Sequence, residues 1–136
     1  MNQDQNAVST SATFNVGDFE ASDTAWLEVQ NKKDDGPLMS NGAPVRILVR
    51  SPGTKEAISA QHRIDLAATN RMYAAMRGKQ VNETVESKTE TSVSKLLAVT
   101  GEIQNFPISP KELYSNPKLG YITEQVTKFH GDWANF

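Results

Sequence analysis

The sequence predicts an α+β fold: a small N-terminal antiparallel sheet of two or three strands, followed by a mainly helical region of three or four helices. Three observations carry that expectation. Apolar residues between Phe14 and Arg50 alternate with a period of two, whereas from Thr54 onward they recur at steps of three and four. Proline, glycine, asparagine and serine cluster at the joints between these stretches. At 136 residues the chain is long enough for one modest core and short for two. The expected organisation is therefore a disordered polar arm over 1–13 and a single domain over 14–136. The arm, "MNQDQNAVSTSAT", has too little apolar surface to offset the entropy of ordering its backbone.

Two strands are predicted first. "AWLEV" places Trp26 and Glu28 on one face and Leu27 and Val29 on the other. "VRILVR" sets Val45, Ile47 and Val49 against Arg46, Leu48 and Arg50. Between them "DDGP" and "NG" are turn sequences, the second because Asn and Gly tolerate positive φ. "SPG" then ends the alternation, and Thr54 caps a helix over about 54–77. Its apolar stripe is read as Ala57, Ala60, Ile64, Ala68, Met72 and Ala75, with Arg63, Arg71 and Arg77 toward solvent and Gly78 as a left-handed cap. Residues 79–100 bring Val81, Val85, Leu96 and Val99 to helical spacing around a Ser/Thr-rich centre. That segment is either a solvated helix with a narrow packed stripe or one that orders on a partner.

"GEIQNFPI" reads as an extended connection that offers Ile103, Phe106 and Ile108 to the core. Ser109, Pro110 and Glu112 form a capping box with proline at the first helical position, so a short helix starts there and stops before Asn116-Pro117. Asn116 then caps a helix beginning at Pro117. Leu119, Ile122, Val126 and Phe129 share one of its faces, and Gly131 ends it. "DWANF" follows as a short final turn, with Trp133 and Phe136 either in the core, which the periodicity favours, or exposed as an adhesive end.

Composition removes several function classes. The 14 Lys and Arg against 16 Asp and Glu give a net charge of −2, unlike the clustered cations of a nucleic-acid binder. The chain has no cysteine, hence no disulfide framework or thiolate metal site. No apolar run approaches the roughly 18 residues of a membrane span, and the polar start lacks the pattern of a signal peptide. A protein that remains in the cell that makes it is the expectation. His62 and His130 are the only histidines and are far apart in sequence. With no phosphate loop, nucleophile elbow or metal-ligand spacing, neither an enzyme, a cofactor nor a metal is expected.

The end of the chain resembles a known family. "LYSNPKLGYITEQVTKFHGDWANF" is similar to the C-terminal signature of the small tail assembly chaperones of long-tailed phages: Leu-Tyr, a variable pair with Pro, Gln-Val, an aromatic, and a closing Gly-Asp-x-x-Asn-Phe. "GAPVRILVRSPGTKEAISAQHR" resembles the strand, turn and helix start of the same proteins. The Ser/Thr-rich stretch 79–100 departs from them.

The resemblance implies a non-enzymatic chaperone that acts in the host cytoplasm and is absent from the mature virion. Its partners would be the tape measure protein, which it keeps soluble, and the tail tube protein, recruited through a longer product of a programmed frameshift. Codons for Ala134, Asn135 and Phe136 can be written as a slippery heptamer. On this reading Leu119, Tyr121, Ile122, Val126, Phe129, Trp133 and Phe136 form the partner-binding surface. Self-association is also expected, with the edge of the "VRILVR" strand as a route. The alternative is a structural virion protein, a head-tail connector or tail terminator component, which would stay in the particle.

Overall fold

The structure, a computed structural model, describes residues 13–79 and 85–136, apart from the side chains of 85–87. Strand β1 (Thr24–Glu28) pairs antiparallel with β4 (Arg46–Arg50), and β4 pairs antiparallel with β5 (Thr100–Gln104), so the sheet runs β1-β4-β5. The third strand arises between two helices, within the stretch read from sequence as an extended connection. β2 (Met39–Ser40) and β3 (Ala43–Pro44) form a small hairpin on the connection from β1 to β4. Its turn is the anticipated Asn41-Gly42, with φ of 52° and 79°, as a two-residue hairpin loop of this kind requires.

The alternation predicted for β4 holds. Ile47 and Val49 are buried, while Arg46, Leu48 and Arg50 are half-buried on the other face. There the Arg46 guanidinium lies 4.8 Å from the centre of the Trp26 ring, a cation–π contact. Gly101 and Glu102 together oppose Leu48 where the β4–β5 register shifts, a bulge. A Cβ on Gly101 would stand 3.1 Å from Leu48 Cδ2, so glycine makes room for Leu48.

β4 is the central strand and both its edges are paired. The "VRILVR" strand therefore offers no edge to a second copy, and that expected route is closed. The edge is covered by β5, which the chain forms only after the first two helices.

Four helices complete the described chain: α1 (Lys55–Met76), α2 (Val85–Val99), α3 (Pro110–Ser115) and α4 (Gly120–His130). α1 begins as predicted, with the Ala57 N–H donating to Thr54 Oγ1 at 3.3 Å. It ends with Gly78 at φ 79°, the Gly78 N–H bonded to Ala75 O and the Lys79 N–H to Ala74 O, a Schellman closure. Its packed side differs from the predicted stripe. Ala57 and Ala60 are buried and Ile64, Arg71 and Ala74 half-buried, whereas Ala68, Met72 and Ala75 are exposed. Each helical residue turns about 100°, so the consecutive steps of four from Ile64 to Ala68 to Met72 rotate the line about 40° at a time away from α2. Arg71 lies on the packed side for the same reason.

Within the 79–100 segment Val85–Val99 is helical and Thr100 begins β5, and Val93, Leu96 and Val99 of α2 are buried. Val81 lies outside the described residues, as does the 1–13 arm apart from Thr13. The N-cap half of the capping box expected for α3 forms, the Glu112 N–H donating to Ser109 Oγ at 3.1 Å, while the Glu112 carboxylate accepts at 3.3 Å from the Ser109 hydroxyl rather than from its backbone N–H. Asn116 accepts from the Lys118 N–H at 3.0 Å, but Pro117–Leu119 is a 3-10 turn and α4 starts at Gly120.

One core lies between the sheet and these helices. Val29, Val45, Ile47 and Val49 come from the sheet side, and Val93, Leu96, Leu113, Tyr114, Ile122 and Val126 from the helices. The Tyr114 hydroxyl is 2.5 Å from Thr100 Oγ1, which is also 2.7 Å from Leu96 O. Since a carbonyl only accepts, Thr100 donates to Leu96 and Tyr114 donates to Thr100. Burial pushes the Tyr114 phenol above its ordinary pKa of 10.0.

The sign of the pH effect follows. The unfolded phenol ionises first, so the stability from neutral Tyr114 is fully present below pH 10.0 and is lost as pH rises through the raised folded pKa. Tyr114→Phe is expected to cost about 1 kcal/mol at neutral pH and to flatten the alkaline decline in urea midpoint. An alkaline slope equal to that of the unmodified chain would refute the assignment.

Candidate functional site

The seven C-terminal residues singled out from sequence separate into three environments. Ile122 and Val126 are fully buried, at 0% exposure, and belong to the core rather than to any contact surface. Leu119, Tyr121, Phe129 and Phe136 are half-buried and pack against that core. Trp133 alone is exposed, at 57%. A fully buried side chain has no area to offer a partner, so Ile122 and Val126 leave the expected surface.

The final turn folds back as one of the two sequence readings allowed. Asp132 caps it, accepting from the Ala134 N–H at 3.0 Å. The Phe129 and Phe136 rings meet edge to face, 5.6 Å between centres. Asn135 Nδ2 donates to Phe129 O at 2.9 Å, and the Ser22 N–H donates to Phe136 O at 2.6 Å. The chain end is thereby tied to the start of β1. Trp133 points the other way and rests over Gly53, where a Cβ would come within 3.2 Å of the indole.

α4 is held to the sheet by polar contacts as well as by its apolar face. Gln125 presents its side-chain amide to the backbone of Gln30: the Gln30 N–H donates to Gln125 Oε1 at 2.8 Å, and Gln125 Nε2 donates to Gln30 O at 2.9 Å. At the other end His130 is buried and its Nδ1 is 2.7 Å from Arg50 O. The carbonyl can only accept, so that nitrogen carries the proton. Arg50 Nη1 in turn donates to Ala98 O and Thr100 O at 3.1 and 2.8 Å, closing the C-terminal end of α2.

Where α1, α2 and the end of α4 converge they leave a groove of 480 Å3, lined by Ile64, Leu96, Val99, Thr127 and His130 and bordered by Lys95. A second depression of 430 Å3 continues it past Ala57 and Ile58 to Pro52, sharing Lys95 and His130. Lys95 Nζ reaches Gln61 Oε1 at 2.6 Å. Ala57, a small residue on the packed side of α1, lines the second depression and leaves it room. Ile64, Leu96 and Val99 were each identified in sequence as members of helical stripes. That these two stripes would meet the end of α4 and leave a gap depends on how the helices cross, which one helix's periodicity does not encode.

No protein-family model matches the chain, and neither the curated proteins nor the solved structures contain a match to it. Among the described residues no three His, Asp or Glu side chains are grouped to hold a metal ion, and no described helix is long and apolar enough to cross a membrane. The groove has an apolar floor and a polar rim, and beyond the Gly131 turn Trp133 exposes an indole. Such an arrangement can hold an apolar side chain or a short amphipathic segment.

Proposed function

We propose that this chain is a non-enzymatic phage tail assembly chaperone that binds the tape measure protein and keeps it soluble during tail assembly. The reading is supported by the signature resemblance over residues 113–136. The observation that carries the binding role is Trp133, a large aromatic side chain left exposed on an otherwise anchored chain end. Tryptophan supplies much contact area for little lost rotamer freedom and commonly anchors interfaces. A tape measure protein, as a long helical chain with apolar stripes, needs such cover. The contact surface is accordingly Trp133 with the groove beside α1. Leu119, Tyr121, Phe129 and Phe136 contribute only their exposed edges. The longer frameshifted form would continue from Phe136 and bring in the tail tube protein, all in the host cytoplasm before the virion is complete.

Co-expression with the tape measure protein of the same genome tests this. The client is expected to become soluble and to co-purify with the chaperone. Trp133→Ser should reduce the co-purified amount at least tenfold, which corresponds to about 1.4 kcal/mol or more, with the fold unchanged by circular dichroism. A client that stays insoluble beside folded wild-type chain overturns the reading. So does finding the chain by mass spectrometry as a stoichiometric part of purified virions, which marks a structural ring component.

A further inference from the structure

Two more apolar surfaces lie uncovered, and neither belongs to the groove. The first is the turn ahead of β1. Phe14, Val16 and Phe19 are all exposed, Phe19 to 75%, and the Phe14 and Phe19 rings stack 5.5 Å apart. Asn15 fixes this turn by accepting from the Gly17 N–H at 3.0 Å. The second is the outer face of the distal half of α1, opposite the side packed on α2. Leu66, Met72, Tyr73 and Met76 are exposed there, Met76 to 74%.

The two surfaces are complementary in charge and in chemistry. Residues 14–28 contain Asp18, Glu20, Asp23 and Glu28 and no Lys or Arg. The α1 face ends beside Arg77 and Lys79, both exposed. Stacked phenyl rings suit a methionine-rich helix face, where thioether sulfur packs well against ring edges. The turn is already ordered by its cap, which lowers the entropy lost on docking. Within one chain both surfaces stay exposed, so each remains open to a second molecule.

We propose that the Phe14–Phe19 turn of one copy docks on the outer face of α1 of another copy. Phe14 and Phe19 lie against Met72, Tyr73 and Met76, and Asp18 and Glu20 face Arg77 and Lys79. The contact joins two different patches, so it is head-to-tail and propagates into a ring or an open row rather than stopping at a two-fold dimer. Both patches are small, so assembly depends on concentration, and its charge component weakens with salt. It is independent of what the groove binds.

Analytical ultracentrifugation of the full chain tests the contact. The average mass is expected to rise with protein concentration and to fall between low and high salt. Phe19→Ser and Met76→Asp change exposed side chains, and each variant alone should associate at least tenfold more weakly with its melting temperature preserved. Mixed in equal amounts, the two should form a dimer and nothing larger, because one intact turn then meets one intact α1 face. Three results would overturn the proposal: a wild-type monomer at every concentration, a single variant that assembles like wild type, or a mixture that stays monomeric.

Discussion

Val126→Asp is expected to leave the chain without a native fold. Val126 is at 0% exposure on α4, in one cluster with Ile122, Leu113 and the sheet residues Val45, Ile47 and Val49. A carboxylate there would be buried without a partner, since the neighbours in that cluster are apolar apart from the Tyr114 hydroxyl, which already donates to Thr100. Leaving one charge uncompensated in such a place costs about 3–5 kcal/mol, and the valine's own packing is lost as well. A chain of this size has about 5–15 kcal/mol in total. Loss of the near-ultraviolet circular dichroism signal, or insolubility on expression, is the expected result. A soluble variant with the wild-type urea midpoint would mean that α4 turns another face to the sheet, and the division of the C-terminal residues would have to be redrawn.

Elements set by local chemistry were legible in the sequence. The alternation in "VRILVR", the Asn-Gly turn, the Thr54 cap, the Gly78 closure and the Ser109 cap all depend on residues a few positions apart, and all are present. What escaped the reading depends on long-range pairing. Residues 101–104 look merely extended, and Thr100 the end of a helix, until they are set beside β4, where the shared backbone hydrogen bonds make 100–104 a strand and close the edge left open for self-association. The α1 stripe failed past Ile64 because apolar residues occur on more than one side of that helix. Composition cannot say which side α2 will cover.

The candidate site was legible in part, and for a related reason. Helical periodicity selected Ile122 and Val126 because they are apolar and in phase, and these are the properties that bury a residue. The same criterion therefore finds the core before it finds a surface. Periodicity favoured the core for Trp133 as for Phe136, but Trp133 lies beyond the last regular helical turn and is exposed at 57%. Its exposure follows from the Asp132 cap and the Ser22 contact with Phe136, which turn the end of the chain so that Phe136 goes inward and Trp133 outward.

Deleting residues 132–136 should for that reason destabilise the domain rather than simply remove a binding surface. The deletion takes away the edge-to-face contact of Phe136 with Phe129, worth about 1 kcal/mol. It also removes the hydrogen bonds from the Ser22 N–H to Phe136 O and from Asn135 Nδ2 to Phe129 O. Each bond contributes about 1 kcal/mol, so a loss of about 3 kcal/mol in unfolding free energy is expected, read from the urea midpoint. Trp133→Ser keeps all three contacts and gives up only the indole's packing over Gly53, so it should cost less than the deletion. Loss of client binding in the deletion alone would thus report a damaged fold. Loss in Trp133→Ser, with the variant fully folded under the assay conditions, would assign binding to the indole. Equal midpoints for the deletion and the full chain would show that the last turn is an appendage, and the case for Phe136 as a core residue would fall with it.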